Sequence, residues 1–364
     1  MGNSIHTATL ATIVVVPRER FSAAKASLES IYSDDDYPFE LVYVDGGSPR
    51  AIARHLREEA RARDFTLVRT DAHLSPNKAR NIGLAHVETK YVVFLDNDVF
   101  VTRGWLQKLI ECAEQTGADV VSPLVCEGSP LHNIVHCAGG ETGVRVESKN
   151  GNETRRFIEK IYKQGRTVAE VRPILKREKT GLAEFHAMLV RKSAFDRIGP
   201  LDEGMINTKE HCDLCTLVEQ AGGEIWLEPD SVVTYDFTGR RLSDLGYFML
   251  RWSDQWELDS LEHLQAKYQL DESDEYFKAR VKNRGWRRRH KIWKPLLQKL
   301  FLGLRPRKLE DLIVAIDCIY NRRLTDRYAR EAPHIKPRVV HQPAGRSPMV
   351  PAPGRTSSII RKAA

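Results

Sequence analysis

Two carboxylates one residue apart, Asp96 and Asp98, close the apolar run YVVFLDND at 91–98. Residues two apart on an extended chain point the same way, so both can reach one ligand. Oxygen donors favour a hard cation such as Mg²⁺ or Mn²⁺, and a partial ligand set leaves positions for diphosphate oxygens. Such an ion would neutralise a departing nucleoside diphosphate as a Lewis acid. The competing reading is a turn, since Asp and Asn are common turn formers; delivery by a hydrophobic strand favours the ligand.

The elements around this pair set its surroundings. TLATIVVV at 9–16, ended by Pro17, suits a buried central strand, and ELVYVDGGS at 40–48 is a second strand running into a glycine turn. FTLVRT (65–70), YVVFLDND and ADVVSPLV (118–125) continue the strands. Helical patterns at 22–33, 50–63, 76–88 and 105–117 lie between them. This alternation predicts a mostly parallel α/β sheet flanked by helices, whose ligands bind beyond the carboxyl ends of the strands. The turns after Val16, Val44 and Leu95 should converge on one cleft.

Residues 127–180 are rich in glycine and charge, and read as long loops over that cleft. Pattern resumes at AEFHAMLVRKSAF (183–195) and continues through EIWLEPDSVVTY (224–235), where Trp226 reads as core. From about 240 to 330 the chain is mostly helical. Five prolines beyond 334 argue for a disordered basic tail. The expected division is therefore 8–238, a helical region at 239–333, and the tail at 334–364.

Several pieces in order resemble the family 2 glycosyltransferases of the GT-A fold. They are the first strand with Pro17, VDGGS at 44–48, PNKARNIGL at 76–84 and FLDND at 94–98. MLVRKSAFDRIGPLDE (188–203), KEHCDL (209–214) and AGGEIWLEPDSVVTY (221–235) complete the set. The likeness spans about 12–235. It implies donor-binding roles for Pro17, Asp45, Arg80, Asn81, Asp96, Asn97 and Asp98. Asp45 matches the residue that contacts the base, but the second acid usual there is Gly46. Asp96 matches the acid that holds the ribose and Asp98 the metal ligand, so Asp98 and Asp96 are the expected holders of Mn²⁺ or Mg²⁺.

The same likeness points to Glu210 and His211 as catalytic. The family's usual Glu-Asp pair supplies the base in inverting members, and here the base position holds His211. A near-neutral imidazole is a competent general base, and the adjacent carboxylate can orient it or take the role itself. The competing reading is that helix-terminal acids cap the dipole. Glu184 and His186 alternate on a strand-like stretch, and His136 precedes Ala138-Gly139-Gly140; all three are expected on the acceptor side.

The implied reaction moves a hexose-type sugar from a UDP- or GDP-sugar to a saccharide, lipid-linked or other hydroxyl acceptor. It would be metal-assisted and inverting, in the synthesis of cell-surface or extracellular polysaccharide or glycoconjugates. The alternative is a GT-A scaffold that binds nucleotide or carbohydrate without turnover; Gly46 and His211 keep it open.

The composition sets outer bounds. Of 364 residues, 41% are hydrophobic and 29% charged, enough for a sizeable core. No apolar run of about 18 residues occurs, so no membrane span is expected, and the apolar N-terminal stretch reads as a strand because no basic region precedes it. Neither a G-x-G-x-x-G after the first strand nor a P-loop is present, against dehydrogenases and P-loop NTPases. The six cysteines lack a framework spacing, and Cys212-x-x-Cys215 reads as two small apolar residues on one helix face. Such thiols fit a reducing cytoplasm.

The formal charge of +7 has a local excess toward the C-terminus. WRRRHKIWKPLLQKLFLGL at 286–304 mixes aromatic, basic and apolar residues, with Pro295 expected to interrupt any single helix. Packing on the catalytic domain and contact with anionic membrane through 284–304, at the inner face, are the competing expectations. Nucleic acid is not expected as a partner.

Overall fold

The computed structural model describes residues 9–33, 37–149, 152–271, 275–303 and 306–344. Thirteen strands are present among them: β1 (Ala11–Val16), β2 (Phe39–Gly46), β3 (Thr66–Thr70), β4 (Tyr91–Asp96), β5 (Val99–Val101), β6 (Val120–Glu127), β7 (Ile134–Cys137), β8 (Gly140–Lys149), β9 (Asn152–Ile161), β10 (Glu178–Lys179), β11 (Ala187–Arg191), β12 (Ile225–Tyr235) and β13 (Arg338–His341). The main sheet runs β10-β12-β6-β11-β4-β1-β2-β3-β13. Its half β4-β1-β2-β3 is parallel, as the strand–helix alternation predicts, with β11 inserted antiparallel between β4 and β6.

The central strands are apolar along their length because helices cover both faces. Ile13, Val15, Tyr91, Val93 and Leu95 face one layer with Trp105 and Leu109 of the helix Trp105–Thr116. Val14, Val42, Val44, Val92 and Phe94 face the other, with Ala79 of the helix Pro76–Leu84. Gly83 of that helix lies directly on β1, so that a Cβ there would overlap Val14 Cγ1. The close approach brings Arg80, one turn earlier, against the end of β4.

Four expectations need correction. Residues 127–180 are not mainly loops: β8 and β9 form a ten-residue antiparallel ribbon from Gly140↔Ile161 to Lys149↔Asn152. The tail expected from 334 contains β13, which pairs antiparallel with β3 as an edge strand, while residues 345–364 lie outside the described residues. Pro295 does not interrupt its helix: Trp286–Arg288, a π-helical turn at Arg289–Trp293 and Lys294–Leu300 run on continuously. The wider π turn precedes the proline and accommodates the missing donor and the ring. Trp226 is only partly buried, its indole N–H donating to Glu224.

Residues 242–331 are mainly helical, as expected, and pack around the first half of the chain through polar anchors. The Tyr247 hydroxyl donates to Leu74 O at 2.9 Å, and Trp252 Nε1 donates to Glu19 Oε1 at 3.1 Å. Among the described residues no helix is long and apolar enough to cross a membrane.

Candidate active site

Three chain segments meet at the end of β4. The Asp96 amide donates to His186 O at 3.1 Å, the Asn97 amide to Val16 O at 2.9 Å, and the Arg18 amide to Asn97 Oδ1 at 2.9 Å. Asn97 thus serves as the staple between the ends of β1 and β4. Pro17 packs against Gly46, where a Cβ would stand 2.9 Å from Pro17 Cγ. The turns after β1, β2 and β4 converge, and the same closeness explains why an acid is not accommodated at position 46.

Asp96 and Asp98 have different surroundings. Asp96 is ringed by charge: Arg80 Nη2 donates to its Oδ1 at 3.3 Å, and Arg18 Nη1 lies 3.3 Å from Oδ2. Arg80 itself is fully buried, with its guanidinium 3.8 Å over the Phe185 ring and a hydrogen bond to Asn77 Oδ1. Asp98 is equally buried, yet neither of its carboxylate oxygens has a hydrogen-bond partner. Burial, with Asp96 and Glu19 adding repulsion, pushes its carboxyl well above the ordinary value. An orphaned buried carboxylate is what a hard-cation ligand leaves when considered alone. Asp98 fits the expected metal; Asp96 has its charge met by Arg18 and Arg80 instead.

Across from these stands the helix Glu210–Gln220, entered through Lys209 at φ +67°, an uncommon conformation for a residue with a side chain. Glu210 and His211 turn to different partners. Glu210 Oε1 is 3.2 Å from Arg251 Nη2 and 3.9 Å from Arg80 Nη1. Burial opposes its ionisation, but Arg251 and Arg80 outweigh this and hold it below the ordinary range. His211 Nε2 instead lies 3.1 Å from Glu159 Oε1, 3.4 Å from Glu184 Oε1 and 3.2 Å from Cys212 Sγ. Burial opposes the imidazolium, and Cys212, Glu184 and Glu159 outweigh it, lifting His211 well above its usual value. The carboxylates carry that effect, because burial keeps the Cys212 thiol protonated.

Glu184 joins the other two residues expected on the acceptor side, His136 and His186. Its Oε1 is 3.7 Å from His136 Nε2, and His136 Nδ1 is 3.0 Å from Glu127 Oε2. His186 stacks on Tyr235, ring centroids 3.9 Å apart, and its Nδ1 is 3.2 Å from Asp96 Oδ2. Burial, with Arg18 and His136 adding to it, holds His186 well below the usual imidazole value. Asp98 apart, the site is therefore a continuous net of imidazoles, guanidiniums and carboxylates.

Two expected residues are engaged elsewhere. Asn81 accepts from the Leu201 amide at 3.0 Å and donates to Leu201 O at 2.8 Å, tying its helix to the 201–203 loop. Asp45 accepts from the Ser48 amide and hydroxyl, both at 2.9 Å, and from Arg69. Five residues were not foreseen: Arg18, Glu19, Glu127, Glu159 and Arg251. Arg18 and Glu19 directly follow Pro17, the one signal that marked them. Glu159 arrives on β9 and carried no signal.

Residues 12–130 match the family described as glycosyl transferase family 2. Over that stretch the chain is similar to the family 2 glycosyltransferases. The stretch holds Asp45, Arg80, Asp96 and Asp98, while the Glu210–His211 side lies beyond the matched residues. Two curated proteins similar to this chain are the pre-mycofactocin glycosyltransferases of two Mycobacterium tuberculosis strains, CDC 1551 and H37Rv. Each is 27% identical over 226 residues, covering 62% of this chain and 42% of the relative. The chain thus matches less than half the length of these relatives. Among solved structures, GalNAc-T7 with UDP, GalNAc and Mn²⁺ is similar at 13% identity and a TM-score of 0.46, over 76% of this chain and 58% of that one. S. aureus TarS is similar at 16% identity and a TM-score of 0.44, over 88% and 55%.

Proposed function

We propose that the chain transfers a hexose-type sugar from a UDP- or GDP-sugar to a hydroxyl of a saccharide or lipid-linked acceptor, with inversion. One observation carries this reading: a buried carboxylate without hydrogen-bond partners, Asp98, sits in the turn that follows the central strand β4. It stands across one charge network from His211, whose imidazole is flanked by Glu159 and Glu184. A Mg²⁺ or Mn²⁺ held by Asp98 would, when bound, supply positive charge to the leaving diphosphate.

The chain's own residues divide the rest of the work. Arg18 and Arg80 bring fixed positive charge to the end of β4, where an anionic donor needs it. His211, once in its neutral form, takes the acceptor's proton while the acceptor oxygen bonds to the anomeric carbon and the bond from that carbon to the diphosphate oxygen breaks; because the site favours the imidazolium, transfer should rise as pH increases. Glu159 and Glu184 raise the basicity of His211 and hold the imidazolium that forms. Glu210, paired with Arg251 and Arg80, is a weaker base and positions those arginines.

The test is release of nucleoside diphosphate from UDP- and GDP-sugars with acceptor sugars and Mn²⁺ or Mg²⁺. Release from one donor, lost in Asp98→Asn and His211→Asn but only reduced in Glu210→Gln, is the expected pattern. Donor that binds and is protected without being consumed would replace this reading with a nucleotide-binding scaffold.

We further infer that the helices around 286–320 rest on an anionic membrane surface on the cytoplasmic side, where glycoconjugate acceptors would be met. Trp286, Leu296, Leu300 and Leu302 are exposed beside Lys294 and Lys299, and Leu312, Ile316 and Ile319 line one exposed face of Arg307–Glu331. Arg288, by contrast, turns inward to Asp317 and Asp254. Sedimentation with phosphatidylserine vesicles, lost in Leu300→Asp/Ile316→Asp, is the expected result; equal sedimentation of that variant would remove the inference.

A further inference from the structure

Three side chains near the acceptor side do more than the transfer reading asks of them. His136, Glu184 and His186 each offer one ligand atom, and these atoms lie within 4.8 Å of one another. His136 comes from β7, and Glu184 and His186 from the segment entering β11, so the sheet itself sets their spacing. A divalent ion about 2.1 Å from each donor holds neighbouring donors about 3–3.5 Å apart. Rotations of the side chains by roughly 1 Å suffice to reach that geometry.

The surroundings have the form of a prepared ligand shell. His136 Nδ1 is held by Glu127 Oε2, which leaves Nε2 directed at Glu184. Glu127 is itself approached by the Tyr235 hydroxyl at 3.4 Å, and the Tyr235 ring fixes the plane of His186 by stacking. A carboxylate behind the outer nitrogen of a ligating imidazole is the common means of setting its tautomer and direction. His186 is almost wholly buried, and its Nδ1, 3.2 Å from Asp96 Oδ2, makes no hydrogen bond of proper geometry. A buried imidazole whose ring nitrogens make no hydrogen bond of proper geometry asks for an explanation, and this residue belongs to a cluster of possible ligands.

We propose that His136, Glu184 and His186 form a second cation site, with a donor set distinct from the oxygen ligand Asp98, that takes a borderline divalent ion such as Zn²⁺. Two imidazoles and one carboxylate select Zn²⁺, Co²⁺ or Ni²⁺ over Mg²⁺, whereas a carboxylate alone suits the harder ions. The two sites would thus be sorted by ligand chemistry. The proposal does not depend on sugar transfer.

Cobalt substitution tests it with a readout other than turnover. The full-length protein, stripped with chelator and returned to Mg²⁺ buffer, is titrated with Co²⁺ and followed by visible absorption. One equivalent should produce a d–d band, displaced by Zn²⁺ and retained in Asp98→Asn. His136→Asn should weaken binding roughly 10–100-fold, and Glu127→Gln, which touches no ligand atom directly, should weaken it by a similar order. Circular dichroism of the two variants separates lost binding from lost folding, and Glu127→Gln serves if His136→Asn does not fold. Absence of a band in the folded wild type overturns the proposal. So does a band that survives both variants or disappears in Asp98→Asn. An intense sulfur-to-cobalt band in the near ultraviolet would place the ion at Glu159, His211 and Cys212 and would likewise overturn it.

Discussion

Arg251 Nη2 stands 3.2 Å from Glu210 Oε1, and both side chains are buried. Arg251 belongs to the helix Leu245–Arg251, Glu210 to the first turn of Glu210–Gln220. The helical region therefore supplies the counterion for a site carboxylate. Removing one partner of such a pair leaves an uncompensated buried charge, which costs about 3 kcal/mol or more. Arg251→Ala should lower the urea midpoint accordingly. A double-mutant cycle with Glu210→Gln should show coupling of about 1 kcal/mol or more; additive losses would mean the pair contributes nothing.

Asp98 should trade stability for function. Its two oxygens are buried without a donor, a cost of about 1–3 kcal/mol. Asp98→Asn keeps the shape and removes the charge, so in chelator the variant should melt several degrees above wild type while losing transfer. A lower melting temperature would show that the carboxylate is stabilised by something other than a bound ion.

Gly83 should reverse the usual helix preference. Alanine at an ordinary helical glycine gains up to about 1 kcal/mol. Here the added Cβ would overlap Val14 Cγ1 and stand 3.3 Å from Val44 Cγ2. Gly83→Ala should therefore destabilise by about 1–3 kcal/mol, and Val14→Ala in the same chain should recover part of it. Thermal melts of the two single variants and the pair decide this.

Asp202 predicts an acid limb of stability. Burial opposes its ionisation, but Lys267 and His263 hold its carboxyl down to about 2, from an ordinary 3.8. Because the folded value is depressed, the contribution is complete above the unfolded value and is lost as pH falls from about 4 toward 2. It amounts to about 2 kcal/mol. Wild type should lose this increment across that window relative to Asp202→Asn; parallel curves would assign the acid limb to other groups.

Much of the arrangement at the end of β4 was legible because its signals are local. VVFLDND announces a buried strand that ends in carboxylates, and PNKARN places an arginine on the helix behind it. The ribbon β8–β9 was not legible. It stands outside the main sheet, so neither strand carries a sustained alternation of apolar and polar residues, and its glycines read as loop. Glu159 went unseen with it. Arg18 and Arg251 were missed for another reason: a charged residue is expected outside unless paired, and their partners, Asp96 and Glu210, are distant in sequence. Edge strand β13 is short, mostly exposed and set among prolines, so nothing in its composition distinguishes it from tail.

That last strand has a consequence for how the molecule behaves in company. Four residues at 338–341 occupy the outer side of β3, with Arg338 reaching Asp71 and His341 donating to Phe65 O. A short exposed strand is among the first pieces of a sheet to detach. When it does, β3 presents a bare row of backbone donors and acceptors, a template that any extended segment of a neighbouring molecule can fill. The closing strand thus guards against association between copies, and concentrated solutions lacking it would be the ones to thicken.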